Sequence, residues 1–291
     1  MSDGTTVAYG ERKTKGRKMV SIDLTYKAWW WPWERRLRGW APTQWREMSE
    51  RQYMAVVRAW LGAMDADTYH AEMFGLPKRL MKQLDSWQTY MLDRQLAWLA
   101  APNSEVSRFF ISKVEGLVAP PDALGGMTLQ QYMMVDTMCM RHGDTVTEEN
   151  PTGDIGRLCK MVGSLYLKPG EGYFPDGEIK VADIEENTKL LLQRADRALL
   201  VGIWLNWKML QNWVARAYPL LFETEEKEER QEKSHTRKLN MWLDTFDAFV
   251  GDDVAHLDSY RKMSCTDAFR LMNKRIKEAR TQAVRKRHGK N

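Results

Sequence analysis

Pro42-Thr43-Gln44-Trp45-Arg46-Glu47-Met48-Ser49-Glu50-Arg51-Gln52-Tyr53-Met54-Ala55-Val56 has a counterpart later in the chain, Pro121-Asp122-Ala123-Leu124-Gly125-Gly126-Met127-Thr128-Leu129-Gln130-Gln131-Tyr132-Met133-Met134-Val135. The offset, 127 − 48 = 79 on the methionines, pairs Pro42 with Pro121, Ser49 with Thr128, Gln52 with Gln131, Tyr53 with Tyr132 and Val56 with Val135. A hydroxyl residue followed three positions later by glutamine is a capping box. Hydroxyl and amide side chains satisfy backbone donors that the first helical turn leaves open. Each copy therefore starts a helix. The methionine before each cap can fold back on the first turn as a hydrophobic staple, and the upstream proline favours an extended approach. Either a duplication or the recurrence of one way of starting a helix explains the pair.

Outward from these starts, helical periodicity dominates. Tyr53, Val56, Val57, Trp60 and Leu61 recur at three- and four-residue spacings, with Gly62 as the stop. A second helix is expected from about Pro77 to Leu99. A third, capped by Asn103 or Ser104, would carry Val106, Phe109, Phe110, Val114 and Leu117. The second boxed helix would run to Gly143, and another from Ile155 to Tyr166. Gly170 to Gly177 has turn chemistry around two aromatics and reads as the one hairpin or loop excursion. A long helix from about Val181 to Tyr218 follows, wide in its apolar surface. After a charged stretch, Glu223 to Lys238, come two more helices, at about 238–250 and 266–286. The expected fold is all-α: an irregular multi-helix bundle with a long central helix, at most one short hairpin and mobile termini. Three regions are expected: a basic, tryptophan-rich arm over 1–40, a main helical domain over 41–222, and a charged linker with basic helices over 223–291.

A chain of 291 residues can bury a sizeable core. Its three cysteines, Cys139, Cys159 and Cys265, are odd in number and lack C-x-x-C spacing, which argues against a disulfide framework or a structural zinc site and suits a reducing compartment. No signal peptide is expected from the first residues, where charge is followed by no apolar stretch. The most apolar run, Ala198 to Val214, is interrupted by Asn206, Lys208, Gln211 and Asn212 and reads as a buried helix, with no membrane partner expected.

The net charge of +5 is unevenly spread. Arg12, Lys13, Lys15, Arg17 and Lys18 lie near the start. Lys274, Arg275, Lys277, Arg280, Arg285, Lys286, Arg287 and Lys290 lie near the end. Such ends are either solvated tails or contacts for nucleic acid or an acidic surface; the residues singled out for nucleic acid are Lys274, Arg275, Arg285, Lys286 and Arg287. Six tryptophans, Trp29, Trp30, Trp31, Trp33, Trp40 and Trp45, fall within seventeen positions. Core filling, partner docking and a membrane-interface belt compete to explain them, and the lack of a following apolar helix disfavours the last.

Patterns for known chemistry are sparse. The chain lacks the nucleophile elbow, the phosphate-binding loops, the zinc-protease signature and the calcium loop. Its histidines, His70, His142, His235, His256 and His288, show no ligand spacing. Cys139 and His142, three apart, could form one edge of a metal site or a thiolate–imidazole pair, and an incidental pairing is the simpler reading. Asp252, Asp253 and Asp258, around Gly251 and His256, read as turn and cap residues. No enzyme activity, cofactor or metal is expected.

The order of signals resembles a family of tail-region proteins of tailed bacteriophages and prophages. Carrying the resemblance are Pro42-x-x-Trp45-x-x-Met48-Ser49-x-x-Gln52, the stretch Leu158 to Pro169 ending Leu165-Tyr166-x-x-Pro169, Pro219-Leu220-Leu221-Phe222, and Asp267 to Lys274. The match covers most of residues 40 to 280 as a pattern; the tryptophan-rich arm and the second boxed copy stand outside it. The resemblance implies virion assembly without catalysis, as a tail-assembly chaperone or minor structural component. It would work in the host cytoplasm during assembly or within the virion, with other virion or tail proteins or a second copy of itself as partners. Eighteen methionines and thirteen tryptophans supply adaptable contact surface for that task, and Trp29, Trp30, Trp31, Trp33 and Trp40 are the expected partner contacts. The alternative is a nucleic-acid-binding accessory protein using the basic helix near the end and the arm near the start.

Overall fold

Both boxed helix starts form. Gln52 N–H donates to Ser49 Oγ at 3.2 Å while the Ser49 N–H donates to Gln52 Oε1 at 3.0 Å. Gln131 N–H donates to Thr128 Oγ1 at 3.2 Å, and the Thr128 N–H to Gln131 Oε1 at 2.9 Å. Met48 and Met127 before the caps, and Tyr53 and Tyr132 in the first turns, are all buried. This computed structural model describes residues 6–14, 17–27, 34–101, 104–170, 180–222 and 234–288. The chain divides into two compact units, Met1–Val106 and Ser107–Asn291, and each holds one of these two helices.

The first unit opens with strands β1 (Thr6–Thr14), β2 (Arg17–Lys27) and β3 (Glu34–Pro42) in an antiparallel meander of that order. This corrects the expected mobile arm and the all-α class. The sheet is anchored where Ile22 and Ala41 are fully buried and the Gly39 backbone lies against another chain segment. A Cβ on Gly39 would stand 2.7 Å from the Phe74 carbonyl oxygen, so only glycine fits. A 3-10 turn, Trp45–Glu47, leads into α1 (Glu50–Trp60), and Gly62, at φ +68°, stops it as expected. Next comes α2 (Ala66–Phe74), capped by Asp65 and closed by Gly75 in the left-handed region. The single helix expected over 77–99 is broken into α3 (Lys78–Met81) and α4 (Ser86–Leu96), because Asp85 and Gln88 form a third capping box.

The second unit begins with another correction. Residues 107–118, expected as a helix, are not helical: an irregular, bent stretch leads into the hairpin β4 (Lys113–Val114) and β5 (Leu117–Val118). Its two-residue turn, Glu115-Gly116, has both φ angles positive, the geometry that suits the twist of a tight hairpin. After a 3-10 turn at Asp122–Leu124 come α5 (Leu129–Gly143), α6 (Ile155–Leu165), α7 (Val181–Arg194), α8 (Arg197–Ala217), α9 (Ser234–Val250), α10 (Leu257–Lys262) and α11 (Cys265–His288). The long helix expected over 181–218 is two helices: Ala195 is extended and Asp196 starts α8, its carboxylate accepting from the Ala198 N–H at 3.0 Å. In both units an antiparallel hairpin, a 3-10 turn and a boxed helix follow one another. Most of the excursion expected over 170–177 lies outside the described residues, as does most of the charged stretch 223–238.

Three helices of this unit converge on Tyr132 of α5. Its ring centroid lies 5.3 Å from Trp207 of α8, 5.5 Å from Trp242 of α9 and 4.8 Å from Phe269 of α11. The starts of α5 and α11 are stitched together, with Leu129 N–H donating to the Met263 carbonyl at 2.8 Å and Cys265 N–H to the Met127 carbonyl at 2.9 Å. The pairing satisfies donors at both helix starts, where no intrahelical partner exists. Among the described residues the fold has eleven α-helices and two small antiparallel sheets, so it is mostly helical and not all-α.

Candidate functional site

The tryptophan-rich segment is tied to the β2–β3 hairpin. The register sets Lys27 opposite Glu34, Asp23 opposite Arg38 and Ser21 opposite Trp40. Trp29, Trp30, Trp31 and Trp33 belong to the connection between Lys27 and Glu34 and lie outside the described residues. Trp40 is half-buried on β3, with the Arg38 guanidinium 5.9 Å from its ring centroid, a distance at which cation and ring attract. Arg38 also grips Asp23 with two hydrogen bonds, 2.5 and 2.9 Å, and this holds the Asp23 carboxyl below its ordinary range. A cross-strand pair of opposite charges at a directly opposed position supports this register.

The basic residues singled out near the end lie on α11. Lys274 and Arg285 are exposed there. Arg275 is engaged elsewhere: it donates to the Phe249 carbonyl at the end of α9 and stacks 5.0 Å from the Phe249 ring, so it complements a helix C-terminus. Lys286 and Arg287 are within the helical backbone, and their side chains lie outside the described residues.

Inside the second unit, one face of α5 carries Asp136, Cys139 and His142 at successive three-residue spacings, all buried. Asp136 Oδ2 accepts from Trp242 Nε1 at 2.6 Å, and Oδ1 accepts from Gln211 Nε2. Burial raises the Asp136 carboxyl above its ordinary range, against these two donors and the charge of Lys208. Burial pushes the Cys139 thiol up to about 12, and His142 is pulled below its ordinary value by the same cause. Among the described residues neither ring nitrogen of His142 has a hydrogen-bond partner, and the ring packs edge-on against Trp204 at 5.1 Å. The nearby Asp154 N–H donates instead to Thr145 Oγ1 at 2.8 Å. A thiol held that high beside an uncharged imidazole is a protonated core thiol at neutral pH, the reverse of an activated nucleophile.

Comparison with protein-family models, with curated proteins and with solved structures returns no match to this chain.

The acidic turn near Gly251 is a local network. His256 Nδ1 and Asp253 Oδ1 are 2.6 Å apart, and Tyr260 donates to Asp253 Oδ2 at 3.1 Å; these contacts lower the Asp253 carboxyl. Among the described residues no three His, Cys, Asp or Glu side chains are placed to hold a metal ion, and no helix is long and apolar enough to cross a membrane.

Sequence reasoning passed over two sets of residues. Asp136 gains its partners from α8 and α9, so its own neighbourhood in sequence gave no sign of them. Trp60, Trp87 and Tyr90 are at least half exposed, and the Trp87 and Tyr90 rings lie 5.6 Å apart on α4. Their three-residue spacing on a capped helix was a readable signal.

Proposed function

We propose that this chain is a non-catalytic assembly protein that works by protein–protein contact, docking a partner through Trp29, Trp30, Trp31, Trp33 and Trp40. The resemblance to the phage tail-region family makes it a tail-assembly chaperone or a minor structural component of a bacteriophage or prophage particle. The observation that carries the reading is the β2–β3 register. With Lys27 opposite Glu34, four tryptophans are concentrated in the connection of one hairpin, and Trp40 lies on the strand that follows. Clustered indoles bury large apolar areas while each N–H can still find an acceptor, which is why tryptophan is over-represented among residues that dominate interfaces.

A pull-down from phage lysate, treated with nuclease and washed at high salt, tests the reading. The tagged chain is expected to retain tail or other virion proteins, identified by mass spectrometry. The variant with Trp29, Trp30, Trp31 and Trp33 replaced by serine is expected to lose them while keeping its helical circular dichroism. Retention unchanged in that variant, or recovery of no virion protein by the native chain, would refute the proposal.

A further inference from the structure

The two halves of α11 have different surroundings. Cys265, Ala268, Phe269 and Met272 are buried, and the Phe269 ring joins the cluster around Tyr132. From Lys274 onward the described side chains are exposed, apart from a partly covered Ile276. Burial therefore holds the first turns and contributes little to the later ones. A helix that is polar on all sides generally bridges to something else or relies on charge pairs along its surface. The pair of Lys274 with Glu278 on this half, at 3.8 Å, is long and well exposed, and contributes little.

Four of the cations of α11 share a face. Arg270, Lys274, Lys277 and Arg285 fall on one face, in steps of four, three and eight residues, with the hydroxyl of Thr281 between the last two. At 1.5 Å per residue the line is about 22 Å long. Arg270 is paired with Asp267 at 3.0 Å, yet its side chain remains largely open to solvent. Glu278 is the one acid between Arg270 and Arg285.

We infer that this face of α11 binds the phosphate backbone of duplex nucleic acid. Three partners could match a row of cations, and the composition of the row separates them. A protein interface needs an apolar centre to bury, and the row contains no apolar side chain. A lipid surface needs an apolar face opposite the basic one, and from Lys274 to Arg285 the sequence has only Ile276 and Val284 as large apolar residues. Phosphate contacts need cations and hydroxyls alone, and the major groove is wide enough to admit one helix. The proposed contact is with phosphates, which are the same at every base pair, so it is sequence-independent. It stands independently of the assembly role proposed above.

The test is fluorescence anisotropy of the full chain with a labelled duplex DNA of arbitrary sequence, from 50 to 200 mM potassium chloride. Four neutralised phosphates give a slope of about −3.6 in log affinity against log salt, or a fall of about 150-fold over that range. The variant K274Q/K277Q/R285Q leaves one cation and should reduce the fall to about 3-fold. Arg285→Gln alone should lower the slope by about 0.9. All three positions are exposed, so an unchanged unfolding midpoint is expected and is measured alongside. The inference is overturned by no binding at 50 mM salt, by a slope that the variants leave unchanged, or by polyglutamate displacing the duplex as well as unlabelled DNA does, which would make the partner an acidic protein.

Discussion

Asn206, in the middle of α8, holds the backbone of Phe110, ninety-six residues earlier: its Oδ1 accepts the Phe110 N–H at 2.8 Å while its Nδ2 donates to the Arg108 carbonyl at 3.0 Å. One fully buried amide thus supplies backbone partners to a segment that has no helix or strand of its own. Tyr166 secures the next residue, its hydroxyl donating to the Ile111 carbonyl at 2.5 Å. Replacing Asn206 with leucine keeps the volume and removes both bonds. We expect a loss of about 2–4 kcal/mol in urea unfolding, because buried backbone groups deprived of partners cost about 1–3 kcal/mol each.

Asp136 ties α9 to α5 and α8 through Trp242 and Gln211. Asp136→Ala removes the acceptor of both donors and should cost about 2–4 kcal/mol at pH 7, whereas Asp136→Asn keeps an acceptor for Trp242 and should cost less. The pH dependence has a definite sign. Burial raises the folded-state pKa, so between 3.8 and that raised value the folded chain binds more protons than the unfolded one. Stability therefore falls as pH rises through that window. The urea midpoint of the native chain minus that of Asp136→Asn should fall as pH rises through that window and stay flat above it.

His142 works in the opposite direction. Its folded-state pKa is lowered by burial from 6.5, so below pH 6.5 the unfolded chain takes up the proton first. The stability its neutral ring contributes is present above pH 6.5 and is lost as pH falls toward the folded-state value. His142→Leu should remove this component, and a native-minus-variant comparison at pH 7.5 and 5.5 reads it. An equal change in both chains would mean that other groups set the acid limb.

All three thiols are buried, with Cys139 and Cys265 pushed up to about 12 and Cys159 to about 11. A thiol-exchange reagent at pH 8 should titrate none in the folded protein and all three in denaturant, since the thiolate is the reactive form. Fast reaction at Cys139 in the folded chain would restore the thiolate–imidazole reading.

Gly39 is where the sheet meets its own unit. A Cβ there would approach the Phe74 carbonyl at 2.7 Å and Leu76 Cδ1 at 2.8 Å, and the carbonyl belongs to backbone that cannot swing aside. Gly39→Ala should destabilise the first unit by about 1–3 kcal/mol, the usual cost of overpacking, read as a lower thermal midpoint.

What could be read directly is what short-range chemistry decides. Ser49 with Gln52 and Thr128 with Gln131 make their bonds across three residues, so two helix starts follow from the local order of side chains. Gly62 stopped its helix for the same reason. Asp85 with Gln88 carried the same signal unread, and so did β2, where Val20, Ile22 and Leu24 alternate with Ser21, Asp23 and Thr25 at the two-residue period of a strand.

Other features came only from residues far apart in the chain. Phe109 and Phe110 were expected within a helix; the segment is not helical, and Asn206 and Tyr166 satisfy the Phe110 N–H and the Ile111 carbonyl from distant positions. The apolar pattern over 181–218 continues across Ala195, yet the helix divides there, where Asp196 caps α8 and Gly163 of α6 lets α7 approach until Asn187 donates to its carbonyl at 3.1 Å. At the sites, the sequence alone showed that tryptophans and cations cluster. Only tertiary structure determined that Arg275 is held against Phe249 while Lys274 and Arg285 face water, and that Cys139 and His142 are sealed with Asp136 in a core. Capping and turn chemistry act within a few residues and are written in order along the chain. Desolvation and backbone pairing depend on which distant segment arrives, and that is decided by the packing as a whole.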